Sequence, residues 1–243
     1  MRFGCCADLD DIELVQEAGY DYIELPVSVV MAELPNAEFD GVRELVGSYD
    51  ISPEVWNSLL PPDMKIVGNE VDVYRIERYM RTAFERIEEL GGEIVVFCGG
   101  SAVNVPDGFS RDEARAQIVE FVTLAGRIAG THGITVAVEH AGRGSSNIVN
   151  TLAEALDIVR AADHPFVKLA VDFHKMTIEN EPIERVIDAG SEIVHIHIHP
   201  HEALPDALGA VGYDDRVSVI CERRDFPAEC GAALDFLRGL QLQ

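Results

Sequence analysis

The chain has 243 residues, 47% of them hydrophobic and 7% aromatic, which excludes wholesale disorder and suffices to bury a large core. Its 43 acidic residues against 19 basic ones leave a formal charge of −24. That balance argues against a nucleic-acid partner and against an anionic membrane surface, because both need clustered Lys and Arg. Lysine occurs only at Lys65, Lys168 and Lys175, the other basic residues being arginine; an acidic, lysine-poor surface is what a halophilic protein would carry, where salt relieves self-repulsion.

The first residues, Met1-Arg2-Phe3-Gly4-Cys5-Cys6, lead directly into a strand pattern without a signal-peptide signature. No apolar run approaches the roughly 18 residues of a membrane span, so a cytoplasmic protein is expected. The five cysteines form no CxxC pair and imply neither a disulfide framework nor a zinc knuckle. Cys5, Cys98 and Cys221 lie in apolar strands and read as small packing residues.

From the N-terminus onward, β-rich runs alternate with helical ones. Strands are predicted at Arg2–Cys6, Asp21–Leu25, Ile51–Asn57, Glu93–Cys98, Ile134–Glu139, Val167–Phe173, Glu192–His199 and Arg216–Glu222. The clearest helices are predicted at Val71–Leu90, Arg111–His132 and Leu152–Ala161, with a short one around Glu202–Val211. In the second of these, Ile118, Phe121, Val122, Ala125 and Ile128 share one face, and Ser110 with Glu113 has the spacing of a capping box. Eight such units fit either an eight-stranded barrel or a doubly wound open sheet. No GxGxxG turn follows a strand and no linker divides the chain, so the reading is a single-domain (βα)8 TIM barrel with short loops, residues 1–243.

In a barrel the chemistry gathers at the C-terminal ends of the strands. Period-two alternation turns Ile196 and Ile198 toward the helices and His195, His197 and His199 toward the axis. By the same parity Ser218, Ile220 and Glu222 face inward, as do Glu139 and Asp172 at the ends of their strands. A lone acid at a strand end is more often a rim residue or helix N-cap, and a lone inward histidine more often a hydrogen-bonded core residue. Three inward histidines on one strand are harder to explain that way, because each buried ring needs a partner. Three carboxylates and an imidazole converging from four strands suit one divalent metal: Mn or Mg from the carboxylates, Co or Zn from the imidazole. Glu24, at the end of the second strand, reads equally well as a rim acid or a sugar-hydroxyl acceptor.

The order and spacing of several segments carry a family resemblance. These are Gly19-Tyr20-Asp21-Tyr22-Ile23-Glu24, Val95-Val96-Phe97-Cys98-Gly99-Gly100, Val105-Pro106-Asp107-Gly108-Phe109, His164-Pro165-Phe166-Val167-Lys168-Leu169 and His195-Ile196-His197-Ile198. Over almost its whole length the chain resembles the xylose isomerase-like TIM barrels, and within them the sugar isomerase/epimerase proteins. The resemblance implies a metal held by Glu139, Asp172 and His197, with Glu222 as fourth ligand if the last strand shifts, because the family's fourth position aligns with Ile220. It implies an isomerase or epimerase that moves a proton next to a carbonyl through an enediolate, with Glu139 and Glu222 as acid/base residues. Glu24 and His174 would contact substrate hydroxyls, and Lys175, where the family often has histidine, would meet a carbonyl or an anion.

The expected partner is a small-molecule sugar or polyol, unphosphorylated because basic residues are scarce near the site. The chain departs from the family in lacking a long loop after the seventh strand, where His199-Pro200-His201 leads straight on. Together with Ile220, that departure supports an alternative: a non-catalytic or partner-dependent barrel. An inosose isomerase or dehydratase is a closer enzymatic rival than an abasic-site endonuclease, which the acidity disfavours. Barrels of this kind often pair, so a homo-oligomer could complete a shortened site.

Overall fold

A computed structural model describes residues 1–200, 206–221 and 224–241. Eight parallel strands close in chain order into one barrel, with β1 pairing both β2 and β8. They are β1 (Arg2–Cys6), β2 (Tyr22–Pro26), β3 (Val55–Asn57), β4 (Ile94–Cys98), β5 (Thr135–Glu139), β6 (Val167–Asp172), β7 (Ile193–Ile198) and β8 (Arg216–Ile220). The longer helices between and after them are α1 (Ile12–Ala18), α2 (Asn36–Val46), α3 (Val73–Glu89), α4 (Arg111–Gly130) and α5 (Leu152–Ala162). Shorter ones follow at α6 (Phe173–Ile178), α7 (Glu184–Ala189) and α8 (Asp206–Ala210), and α9 (Phe226–Gln241) ends the described chain.

Alternation along the strands builds two cores. Tyr22, Val55, Ile94, Val96, Ala137 and Ala170 fill the barrel, while the residues between them, such as Ile23, Val95, Val138 and Val171, pack under the helices. The predicted face of α4 is buried at every position named above. The Ser110 hydroxyl accepts from Glu113 N, but the reciprocal capping box lies at Thr151 and Glu154, which open α5. The third strand is shorter than its sequence pattern because Ser52-Pro53 approaches the sheet without a complete set of backbone donors. The eighth ends at Ile220, and Glu222 lies outside the described residues.

In β7 the pairing with β6 shifts register between Leu169 and Ala170, opposite Ile193 and His195. The extra residue, Val194, packs into the barrel interior, and inward alternation resumes at His195 and His197. At the opposite end of the barrel, Arg216 donates to Glu54 (2.8 Å) and to Glu93 (2.7 Å), and Arg2 to Glu54 (2.5 Å), tying the starts of β1, β3, β4 and β8. Among the described residues no helix is long and apolar enough to cross a membrane.

The rim above β2 is held by a buried cation. Arg86 of α3 donates to the carbonyls of Val30, Met31 and Leu34 and to Asn36 Oδ1, at 2.6–2.9 Å, with its guanidinium over the Phe39 ring. The fork geometry of arginine satisfies several carbonyls at once. Arg86→Met therefore destabilises the fold by about 2–4 kcal/mol through orphaned carbonyls, and Arg86→Lys recovers only part of it. Urea unfolding of the two variants checks this; equal midpoints for Arg86→Met and the parent chain would show that the loop needs no such tie.

Candidate active site at the barrel mouth

Glu139 and Asp172 end β5 and β6, and His197 sits opposite Asp172 in the β6–β7 register. All three are buried, and one ligand atom from each lies within 4.8 Å of the others. The Glu139 carboxylate accepts from His197 Nδ1 (2.5 Å) at one oxygen and from Lys175 Nζ (2.5 Å) at the other. Asp172 caps α6 by accepting from Lys175 N (2.9 Å) at Oδ1, and its Oδ2 is 3.1 Å from Lys175 Nζ. Both expectations for Asp172 thus meet in one side chain: it is a helix N-cap and it faces the acidic site.

Below this group lies a third carboxylate. Glu24 has no exposed surface and accepts from His197 Nε2 (2.8 Å) and Asn57 Nδ2 (3.0 Å) at one oxygen, and from His195 Nε2 (3.0 Å) at the other. Cys6 lies beside it, near enough that Cys6, Glu24 and His197 form another compact donor group. His197 therefore bridges two carboxylates with its two ring nitrogens.

The electrostatics follow from this arrangement. Burial alone would raise the Glu24 carboxyl, but His197 and His195 outweigh it and hold it well below the usual range. Burial also opposes charge on His197, yet Glu24 and Glu139 keep it protonated well above its ordinary value. Glu139 is likewise held far down by Lys175 and His197 against its burial, and Lys175 is raised by Glu139 against its own. His195 is lowered, because burial exceeds the help from Glu24. As a neutral ring donating through Nε2, it leaves Nδ1 without a partner among the described residues.

The other predicted residues fall nearby. The rings of His174 and His199 stack, with centroids 4.0 Å apart. Ile220 is half-buried at the end of β8 in register with Cys6. The sequence reading missed two neighbours. Cys98, read there as packing, turns to the mouth with Sγ 3.7 Å from Lys175 Nζ, and its thiol is pushed up to about 12 by burial and Glu139. His140, next to Glu139, is buried, and neither ring nitrogen has a partner among the described residues. The parity of Cys98 with Ile94 and Val96 was a usable signal; for His140 there was none.

Cys98 also lines a cleft of about 680 Å³, within the usual range for small-molecule sites, together with Pro26, Ser28, Met31, Ser58 and Ser101. Glu33 is its one charged lining residue, and no lysine or arginine lines it among the described residues.

A profile of the xylose isomerase-like TIM barrel matches residues 12–239. The inosose isomerase of Bacillus velezensis is 27% identical over 211 residues, covering 85% of this chain and 71% of that protein. The D-psicose 3-epimerase of Ruminiclostridium cellulolyticum is 25% identical over 227 residues, covering 85% and 75%. The crystal structure of the IOLI protein with a bound zinc atom superposes with a TM-score of 0.72 at 21% identity, covering 100% of this chain and 97% of that one. With a closed barrel, acids at the strand ends and a match over nearly its whole length, the chain belongs to the xylose isomerase-like TIM barrel family.

Proposed function

We propose that the chain is an isomerase or epimerase of an unphosphorylated keto-sugar or keto-polyol, working by proton transfer at the carbon next to the carbonyl. The carrying observation is the convergence of Glu139, Asp172 and His197 at the mouth, where Lys175 is already paired with the two acids and the adjoining cleft has no lysine or arginine among its described lining residues. The relatives named above act on sugars or inososes, which supports the same substrate class.

Two carboxylates and an imidazole at this spacing fit a divalent cation, with the carboxylates suiting Mn or Mg and the imidazole suiting Co or Zn. Glu139, Asp172 and His197 would hold it, and when bound it would supply positive charge that polarises the substrate carbonyl. Glu139, kept ionised by its neighbours, is the group to accept the proton from carbon, leaving an enediolate. Glu24 holds His197 from below through Nε2, which fixes the ring with Nδ1 toward Glu139. Pro26 and Met31 give the cleft part of an apolar wall. Glu222 remains the proposed second acid/base and fourth donor, and His174 the proposed hydroxyl contact.

The test is solvent-deuterium exchange. In D2O the protein should place deuterium next to the carbonyl of at least one member of a panel of ketohexoses, ketopentoses and inososes, read by NMR. Glu139→Gln should slow that exchange about 10²–10⁴-fold. Absence of exchange across the panel, with and without added Mn²⁺, Co²⁺, Mg²⁺ or Zn²⁺, sinks the enzymatic reading. It would favour a non-catalytic barrel, a reading that Ile220 at the β8 end already supports.

A further inference from the structure

Every oxygen of the Glu139–Asp172 pair already has a donor. His197 Nδ1 and Lys175 Nζ take the two oxygens of Glu139, and Lys175 N and Lys175 Nζ take those of Asp172. Both nitrogens of His197 also face carboxylates. The Lys175 ammonium thus lies between the two acids that would hold a metal, hydrogen-bonded to Glu139 and ion-paired with Asp172. From these contacts we infer that Lys175 is a built-in counter-ion at the cation position, so that lysine and divalent metal exclude each other there. The inference rests on the reading of Glu139, Asp172 and His197 as a cation site.

The physical case is simple. Two acids facing one another below the surface need positive charge between them. Two cations cannot share that space, because their repulsion is strong where water is scarce. The lysine also has somewhere to go: its side chain is 24% exposed, whereas those of Glu139 and Asp172 are 3% and 2%. A metal arriving from the mouth would displace the ammonium toward solvent and leave the acids in place. The helix cap would survive, since it uses the lysine's backbone N–H rather than its side chain.

The experiment titrates the full chain, Lys175→Met and Lys175→His with Mn²⁺ and Zn²⁺ by calorimetry. Each folded variant should bind one ion at least about 10-fold more tightly than the parent chain, the ammonium no longer competing. Equal affinities overturn the lysine's role, and no binding by any of the three chains overturns the cation site itself, so the two failures are separable. If a variant fails to fold in chelator, millimolar Mn²⁺ or Zn²⁺ should restore its circular dichroism spectrum; failure to do so also overturns the inference. In the unaltered chain, where Zn²⁺ binds, acylation by acetic anhydride gives a second readout. Zn²⁺ should raise the labelling of Lys175 relative to Lys65 and Lys168, and unchanged labelling with Zn²⁺ bound would refute the displacement.

Discussion

Glu24→Ala should lose about 3–5 kcal/mol of folding free energy near pH 5.5, the largest expected effect of any single substitution at the mouth. Glu24 is the lone carboxylate beneath two imidazoles and an amide, with no exposed surface. Removing it leaves the buried His197 imidazolium paired with Glu139 alone and strips its Nε2, His195 Nε2 and Asn57 Nδ2 of their acceptor, and breaking such a buried pair costs far more than never having built it. Glu24→Gln keeps the volume and one acceptor and should lose less.

The pH dependence has a definite sign on each side. Glu24 is lowered in the fold, so its contribution is present above its ordinary value of 4.5 and is lost as pH falls toward the folded value. His197 is raised, so its contribution is full below 6.5 and is lost as pH rises toward its folded value. The stability gap between the parent chain and Glu24→Gln should therefore be widest between about pH 4.5 and 6.5 and narrow in both directions. Urea unfolding at several pH values measures it. A gap independent of pH would mean that the Glu24 contacts are steric rather than ionic.

Gly4→Ala should cost about 3 kcal/mol or more, although Gly4 has an ordinary strand conformation. Gly4 in β1 is in register with Tyr22 of β2 on one side and Ser218 of β8 on the other. The Tyr22 ring crosses the inner face of β1 to place its hydroxyl 3.0 Å from Ser218 Oγ. A methyl group on Gly4 would stand inside the space of that ring. With the ring removed in Tyr22→Ala, adding Gly4→Ala should cost almost nothing, a coupling of about 2–3 kcal/mol in a double-mutant cycle. Additive losses would show that the ring moves aside freely.

The barrel and its strand ends were legible because they depend on local periodicity. Alternation alone turns Glu139, Asp172, His195 and His197 inward, and the 3.6-residue pattern of α4 marks its buried face. Much of the site was not legible because it depends on which distant residues meet. Nothing local says that Glu24 reaches His197, since they are joined only when β2 and β7 face each other across the closed barrel. The bulge at Val194 is equally silent: a plain alternation turns that residue outward, while the structure packs it in the interior. Lys175 read as a substrate partner only through the resemblance, standing where the family often has histidine, and no strand parity applies to it. It turns inward because α6 starts at Phe173, directly after Asp172, and one helical turn brings the third residue back over its cap.

That short turn has a consequence in time. Asp172 anchors the helix through a backbone amide and the ammonium through its other oxygen, so the two bonds break independently. Cation exchange at the mouth would then need side-chain rotation and the loss of a local ion pair, with no strand or helix displaced. Rotamer changes of exposed side chains take picoseconds to nanoseconds, whereas domain motions take microseconds to milliseconds. On this fold, exchange should be paced by breaking the Lys175 contacts and by diffusion into the barrel, and it should leave no trace in slow backbone amide exchange.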